Sequence, residues 1–502
     1  MSSTRKLPWI LPSLCAGAAL YLYLNLFVLA RVPILLSGDQ LYFWMDAQRI
    51  LHGELPYRDF FQFTPPATDL VYFLPFKLFG PYLWVTNLVV LVLGVALCGI
   101  CFSIATELME LRLALASTLL FLTLIYTRLL NGTHHWFSVL AILGAVRVLL
   151  PAQSRARIFA AGSLLGLGCF FTQSHAGAGL LAVALWLGWK QFRASEKWGS
   201  RLADLSLLLL GFAVTLGIAE SYFIVAAGWS RVWYFQVTYV LHYMVGETGS
   251  SFLGMPPWIG WRHLPSRVQY FTVYLLLPVV YGLTLLKCCA GKSKASSPEQ
   301  LPKAMLLALT GSILLGEVVC SLNWLRIYTI SMPAIILLLW LVGRSGVRRA
   351  GVRIVWAAIL FIAATEIFHA QHGYVVAELP AGRAAMEPRD SEKLLWIRDH
   401  TQPEEFFFDS AWPGVYLPLK LRNPMFAEGV GLDIETRPEF VQEGIAQLDR
   451  KKVRYILWSP QLSLRDDQEP PTSSLAPLRV YLHQHYRKVK VFADEDEIWE
   501  RE

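Results

Sequence analysis

The sequence predicts an α-helical polytopic membrane protein, with about eleven transmembrane helices and a small C-terminal soluble α/β domain. Three observations carry this prediction. The 502-residue chain is 55% hydrophobic and 16% charged, with a mean hydropathy of +0.44, whereas soluble domains carry about a quarter charged residues. Its apolar residues fall in blocks long enough to cross a bilayer. After about residue 370 the composition becomes that of a soluble protein.

The apolar blocks run roughly over 8–30, 83–106, 112–130, 136–151, 157–174, 177–190, 203–227, 269–290, 303–323, 326–343 and 352–370. The first follows Arg5 and Lys6. It is too long for a signal-peptide core and has no small-residue cleavage site, so it reads as a retained helix with a cytoplasmic N-terminus. From that start, the loops PAQSRAR, KQFRASEKWGSR, KCCAGKSKASSPEQLPK and GRSGVRRAGVR all fall inside. They are the most basic loops of the membrane part, as the positive-inside rule requires. An odd number of spans places the C-terminal region outside. The reading is a multi-pass protein of the inner (plasma) membrane, with a transmembrane domain over 1–370 and an extracytoplasmic domain over 371–502.

The net charge of +7 sits in these short loops. Membrane potential and anionic lipids account for it, so nucleic acid is excluded as a partner. The seven cysteines lie in or beside apolar segments, where small core residues are expected rather than a disulfide framework. In the C-terminal region, a helix near SEKLLWIRDH precedes a strand at EEFFFDS. PEFVQEGIAQLDRKK reads as a helix before a strand at VRYILWS. LRVYLHQHY and KVKVFADEDEIWE continue the alternation, which describes a small α/β unit.

The richest chemistry lies in the first outer loop, 31–82. Asp39 stands a few residues past the first span, after Gly38. A carboxylate held at the water–lipid boundary is partly desolvated, which raises its basicity toward that of a general base. Asp39, Tyr42, Asp46, Arg49 and Gly53 share one face of a predicted helix, read as the polar face of an amphipathic helix at the membrane surface. On such a solvated face, Asp46 and Arg49 would pair weakly across one turn. ATDLVYFLPFKLFG then reads as a short interfacial helix between Pro66 and Gly80. The segment from about 228 to 268 reads as a longer outer loop.

An acidic residue just past the first span, a surface helix, G-x-x-P-Y-x-D, a Pro-Pro pair and a short helix ending in FG follow in order. Here these are Asp39, Gly53, Pro56, Tyr57, Asp59, Pro65, Pro66, Phe79 and Gly80. This order resembles the GT-C integral membrane glycosyltransferases, in particular the bacterial dolichyl-phosphate-mannose-mannosyltransferase-like and aminoarabinose-transferase-like group. The resemblance implies a polyprenyl-phosphate-linked sugar donor and an acceptor glycan, lipid or protein. Transfer would occur on the outer face with inversion, and Asp39 would be the base. It implies that a basic residue before a late span meets the lipid phosphate, here Arg326 of the pattern reaching Pro333. Tyr57, Arg58 and Asp59 fall in its P-Y-x-D motif as donor-binding candidates.

The chain departs from the pattern at Gln40, Thr64 and NGTHHW, where the family often has an acid, a lysine and a second acid. These departures favour catalysis by a single carboxylate with no cofactor required; a divalent metal stays open.

Three further sets of residues stand out. His134 and His135, at the outer end of a span, suit sugar hydroxyls or phosphate. Adjacent histidines on a helix are expected to diverge, which argues against a metal. Glu220 and Glu317 lie deep in spans, where carboxylates default to functional roles. Glu107 and Glu366 lie nearer span ends. Two other classes compete with the transferase: a transporter or lipid flippase, which would use charges spread through the spans, and a polysaccharide polymerase or ligase, which would use a large late outer loop.

Overall fold

A computed structural model describes residues 9–28, 31–151, 154–193, 198–244, 264–290, 299–319, 324–345, 348–431, 435–462 and 474–502. Each of the eleven predicted apolar blocks falls on a helix. Leu83–Leu108, Leu111–Leu129, Leu202–Ala227, Gln300–Val318 and Arg348–Ala370 are long and apolar enough to cross a membrane. Ile10–Leu26, His134–Leu149, Val273–Cys289 and Met332–Val342 are shorter apolar helices. The chain forms two compact units.

The first unit comprises Met1–Asn25, Val90–Tyr222 and Val245–His369. Its ion pairs sort by predicted side. Glu107 meets Lys303 at 2.6 Å and Arg147 at 3.6 Å, and Glu110 pairs with Arg348. All five residues lie at ends assigned to the inner face. At an end assigned to the outer face, Arg128 pairs with Glu366 at 3.2 Å. The charge alternation read from the sequence is therefore consistent with which helix ends meet.

Within this unit the helices Arg155–Phe171 and Trp198–Ala227 cross at backbone contact. A Cβ at Gly162 would stand 2.1 Å from the Leu208 carbonyl oxygen, and one at Gly166 would stand 2.5 Å from that of Phe212. The two glycines are four apart on one face, the small-residue spacing that lets membrane helices approach closely.

The second unit comprises Leu26–Val89, Phe223–Met244 and Ala370–Glu502. The first loop and the C-terminal region thus share one core. Leu35 N donates to Ala385 O at 2.8 Å, laying the start of the loop beside the antiparallel hairpin Val375–Leu379/Gly382–Met386. The C-terminal sheet is mixed. Phe408–Asp409 runs parallel to Tyr455–Trp458; Glu497–Arg501 pairs antiparallel with Tyr455–Trp458 and, at its other edge, with Tyr486–Val491. Ile456, Trp458, Val441, Leu448 and Leu478 form the core beneath it.

The expected outer loop from about 228 is helical in its described part: Trp229–Trp233 continues into a π-helix, Tyr234–Met244. Its remainder, 245–263, lies outside the described residues. The wider π-turn presents Phe235 and Tyr239 to Phe61, with ring centroids 5.7 and 5.3 Å apart. Phe61 also packs on Phe440 at 5.3 Å. One aromatic cluster therefore ties the first loop, the π-helix and the C-terminal region together.

Candidate active site

Asp39 ends a turn in which Gly38 takes φ +90°, a conformation a side chain would strain. It forms the N-cap of helix Gln40–Leu51 and is half-buried. Leu41 N donates to Gly38 O and Tyr42 N to Asp39 O, so backbone bonds fix the carboxylate where the helix begins. Tyr42, the third residue of the helix, faces Glu435, Glu428, Asp39 and Asp409. Among the described residues no partner reaches its buried hydroxyl.

The predicted helix is present, but its polar face is not solvated. Asp46 and Arg49 are buried, and no Asp46–Arg49 salt bridge forms. Arg49 instead binds Glu54 at 2.7 Å, Met425 O at 3.0 Å and Asp59 O at 3.0 Å. The polar face turns toward the C-terminal region, where Met425 O accepts from Arg49 and Glu428 meets Asp46.

Asp46 lies in a set of buried carboxyls. Gln62 Nε2 donates to Asp46 Oδ2 at 3.3 Å and to Asp69 Oδ2 at 3.2 Å, and Asp46 is hydrogen-bonded to Glu428. Burial pushes Asp46 and Asp69 well above the usual carboxylate range and Glu428 up to about 8. Glu428 therefore holds a proton at neutral pH. Among the described residues no three His, Cys, Asp or Glu side chains converge to hold a metal.

Tyr57 takes φ +68°. Its hydroxyl donates to Thr64 O and accepts from Gln236 Nε2, each at 2.8 Å, which makes it a post within the loop. Arg58 grips Asp59 through Nη2 to Oδ2 at 2.7 Å and holds that carboxyl below its ordinary value. Both line a polar cavity of about 360 Å³ with Arg49, Arg450 and Lys451. Burial and the neighbouring Arg49 lower Lys451 to about 8.

In the first unit, His134 and His135 do not diverge: their ring centroids are 3.9 Å apart. The rings turn inward because each finds a buried partner. His134 Nδ1 meets Thr172 Oγ1 at 2.8 Å and His135 Nδ1 meets His175 Nε2 at 3.1 Å. His175 Nδ1 meets Glu317 Oε2 at 2.9 Å. Glu317 and Ser174 edge an open groove of about 520 Å³, otherwise lined by small and aliphatic residues such as Gly177, Leu181 and Ile313. Arg326, on the short helix Trp324–Thr329, bears electrostatically on Glu317. Glu220 is buried elsewhere in its helix.

No protein-family model matches the sequence, and no curated protein matches it. Solved structures do. ArnT from Cupriavidus metallidurans, bound to undecaprenyl phosphate, aligns over 98% of this chain and 98% of its own, with a TM-score of 0.63 and 13% identity. The oligosaccharyltransferase AglB from Archaeoglobus fulgidus, in complex with an inhibitory peptide and a dolichol-phosphate, aligns over 100% of this chain and 75% of its own, with a TM-score of 0.55 and 11% identity. The arabinofuranosyltransferase AftD from Mycobacteria aligns over 99% of this chain but 40% of its own, with a TM-score of 0.51 and 14% identity.

The chain has the GT-C fold. On that GT-C scaffold the residues that sequence reasoning missed are those brought in from afar: Glu428, Asp409, His175 and Thr172. Glu428 and Asp409 sit in a polar tail where acids are common, and only their burial distinguishes them. His175 had a signal, being a lone histidine at the end of an apolar block, but its partner is far away in sequence.

Proposed function

We propose that this protein is a glycosyltransferase that moves a sugar from a polyprenyl-phosphate donor to an acceptor hydroxyl on the outer face of the membrane, with inversion. Asp39 is the general base. Its carboxylate takes the hydroxyl proton as the acceptor oxygen attacks the anomeric carbon. The bond from that carbon to the phosphate oxygen breaks on the opposite side, and polyprenyl phosphate leaves. The observation that carries this reading is the seat of Asp39, half-buried at a helix start on a turn held by Gly38, within a GT-C fold.

Arg326 is assigned to the donor phosphate by charge and by its planar donors. The groove between Gly177 and Ile313 has the lining an isoprenoid chain requires. His134 and His135, buried and bonded to Thr172 and His175, shape that end of the first unit, and Arg58 and Asp59 offer polar contacts in their own cavity. ArnT binds undecaprenyl phosphate and AglB a dolichol-phosphate, which supports a lipid-phosphate donor for this chain.

The test is transfer or hydrolysis of labelled sugar from a panel of polyprenyl-phosphate sugars, in membranes with equal levels of wild type and Asp39→Asn. Turnover falling by about 10²–10⁴ is expected on loss of the base. Equal turnover by the two proteins removes Asp39 from the mechanism.

A further inference from the structure

A second cavity, of about 190 Å³, lies entirely within the second unit and is lined from two distant parts of the chain. Ser37 and Leu41, which flank Asp39 in sequence, form one side. Asp409, Trp412, Lys393 and Asp390 form much of the other. Its position follows from the sheet. Asp409 is the last residue of Phe408–Asp409, which runs parallel to Tyr455–Trp458, and the carboxyl ends of parallel strands are where open α/β sheets leave a crevice for ligands.

The lining is built. Asp409 is only 4% exposed. Its Oδ1 accepts from Ala411 N at 3.4 Å and from Trp412 N at 3.3 Å, which folds the chain back and brings Trp412 to the cavity. Both bonds fall on Oδ1, and this nine-tenths buried carboxyl stands in the cavity wall. Trp412 is braced edge-on by Tyr42, with centroids 5.2 Å apart at 77°, yet stays 37% exposed. Lys393 is held by Asp494 at 2.8 Å and by Asp496 and lines the same space.

An aromatic face, carboxyl acceptors and one ammonium donor are the groups that recognise a pyranose: the ring stacks its C–H face and the polar groups take its hydroxyls. Asp390, Asp409 and Asp496 outnumber Lys393 around the cavity, so an anion is disfavoured there. We propose that this cavity is the acceptor subsite and that it takes a neutral or amino-sugar unit of a glycan in preference to a phosphorylated one. This rests on the transferase reading for the word acceptor, and on the cavity alone for the sugar.

The test uses the full chain in phosphatidylethanolamine/phosphatidylglycerol nanodiscs. Saturation-transfer NMR is recorded with diacetylchitobiose, glucosamine and glucose 6-phosphate as probes. Diacetylchitobiose and glucosamine are expected to give at least fivefold more transfer than glucose 6-phosphate. Trp412→Ala should abolish it and Trp412→Phe should keep at least half. Preference for the phosphate, no binding of any probe, or equal binding by Trp412→Ala overturns the site.

In the transfer assay, Trp412→Ala should raise the acceptor KM at least tenfold while donor hydrolysis to water stays within twofold. Turnover with an unchanged acceptor KM removes the cavity and leaves the transferase. Probe binding in a protein that turns over no donor overturns the acceptor role and, separately, the transferase.

Discussion

Asp46 and Glu428 are hydrogen-bonded through their carboxyl groups, one from the first loop and one from the C-terminal region, both buried. Such a contact requires a proton, since two carboxylates at that distance repel. It fastens the helix that begins at Asp39 to the polar tail, and it makes the fastening sensitive to pH.

Glu428 rises from 4.5 to about 8 on folding, so the folded protein holds a proton that the unfolded chain releases. Its stabilisation is complete below about pH 4.5 and is lost as pH rises through about 8. Asp409, raised from 3.8 to about 7, acts in the same direction. Lys451, lowered from 10.5 to about 8, acts oppositely but only above pH 8. Melting temperature should therefore fall between pH 5 and 8 in wild type. Glu428→Gln should flatten that slope, and an unchanged slope would refute the proton-holding pair.

Arg49 makes three buried contacts, to Glu54, Met425 and Asp59. Arg49→Met removes the donor to the Met425 and Asp59 carbonyls, while Glu54 keeps Arg422, and a destabilisation of about 1–3 kcal/mol is expected. Arg58→Met removes a half-exposed ion pair with its own neighbour and should cost under about 1 kcal/mol. Thermal unfolding of the two purified variants ranks them; equal losses would contradict the buried role of Arg49.

A methyl group at Gly162 or Gly166 meets backbone carbonyls that cannot move aside. Gly162→Ala and Gly166→Ala should each lose about 1–3 kcal/mol. Gly217→Ala, which meets nothing within 4 Å, should lose nothing. Detergent melting curves of the three variants provide the comparison, and three identical curves would remove the close crossing.

Glu317 Oε2 lies 2.9 Å from His175 Nδ1 and within the field of Arg326. If Arg326 holds the donor phosphate, Arg326→Met raises the donor KM at least tenfold. Glu317→Gln keeps the acceptor for His175 but removes the competing charge, and should lower that KM. Donor titrations in the transfer assay read both signs. A rise in KM for Glu317→Gln would place the carboxylate, not the arginine, in donor binding.

The sequence by itself determined the apolar helices and the short helices of the first loop, because hydrophobic length and Pro/Gly punctuation act locally. Helix Ala67–Phe79 between Pro66 and Gly80 and the helix after Asp39 follow from such signals. Only the tertiary structure decided what those helices face. The polar stripe bearing Asp46 and Arg49 has the same periodicity whether it meets water, headgroups or protein. Burial against Glu428 and Met425 depends on contacts between residues far apart in the chain. His134 and His135 turn inward for the same reason, since Thr172 and His175 supply partners that no neighbour in sequence provides. The Asp409–Trp412 turn reads as an ordinary polar loop until the parallel strands place it beside Ser37 and Leu41. Local chemistry fixed the elements; long-range desolvation and hydrogen bonding chose which of their polar groups became internal.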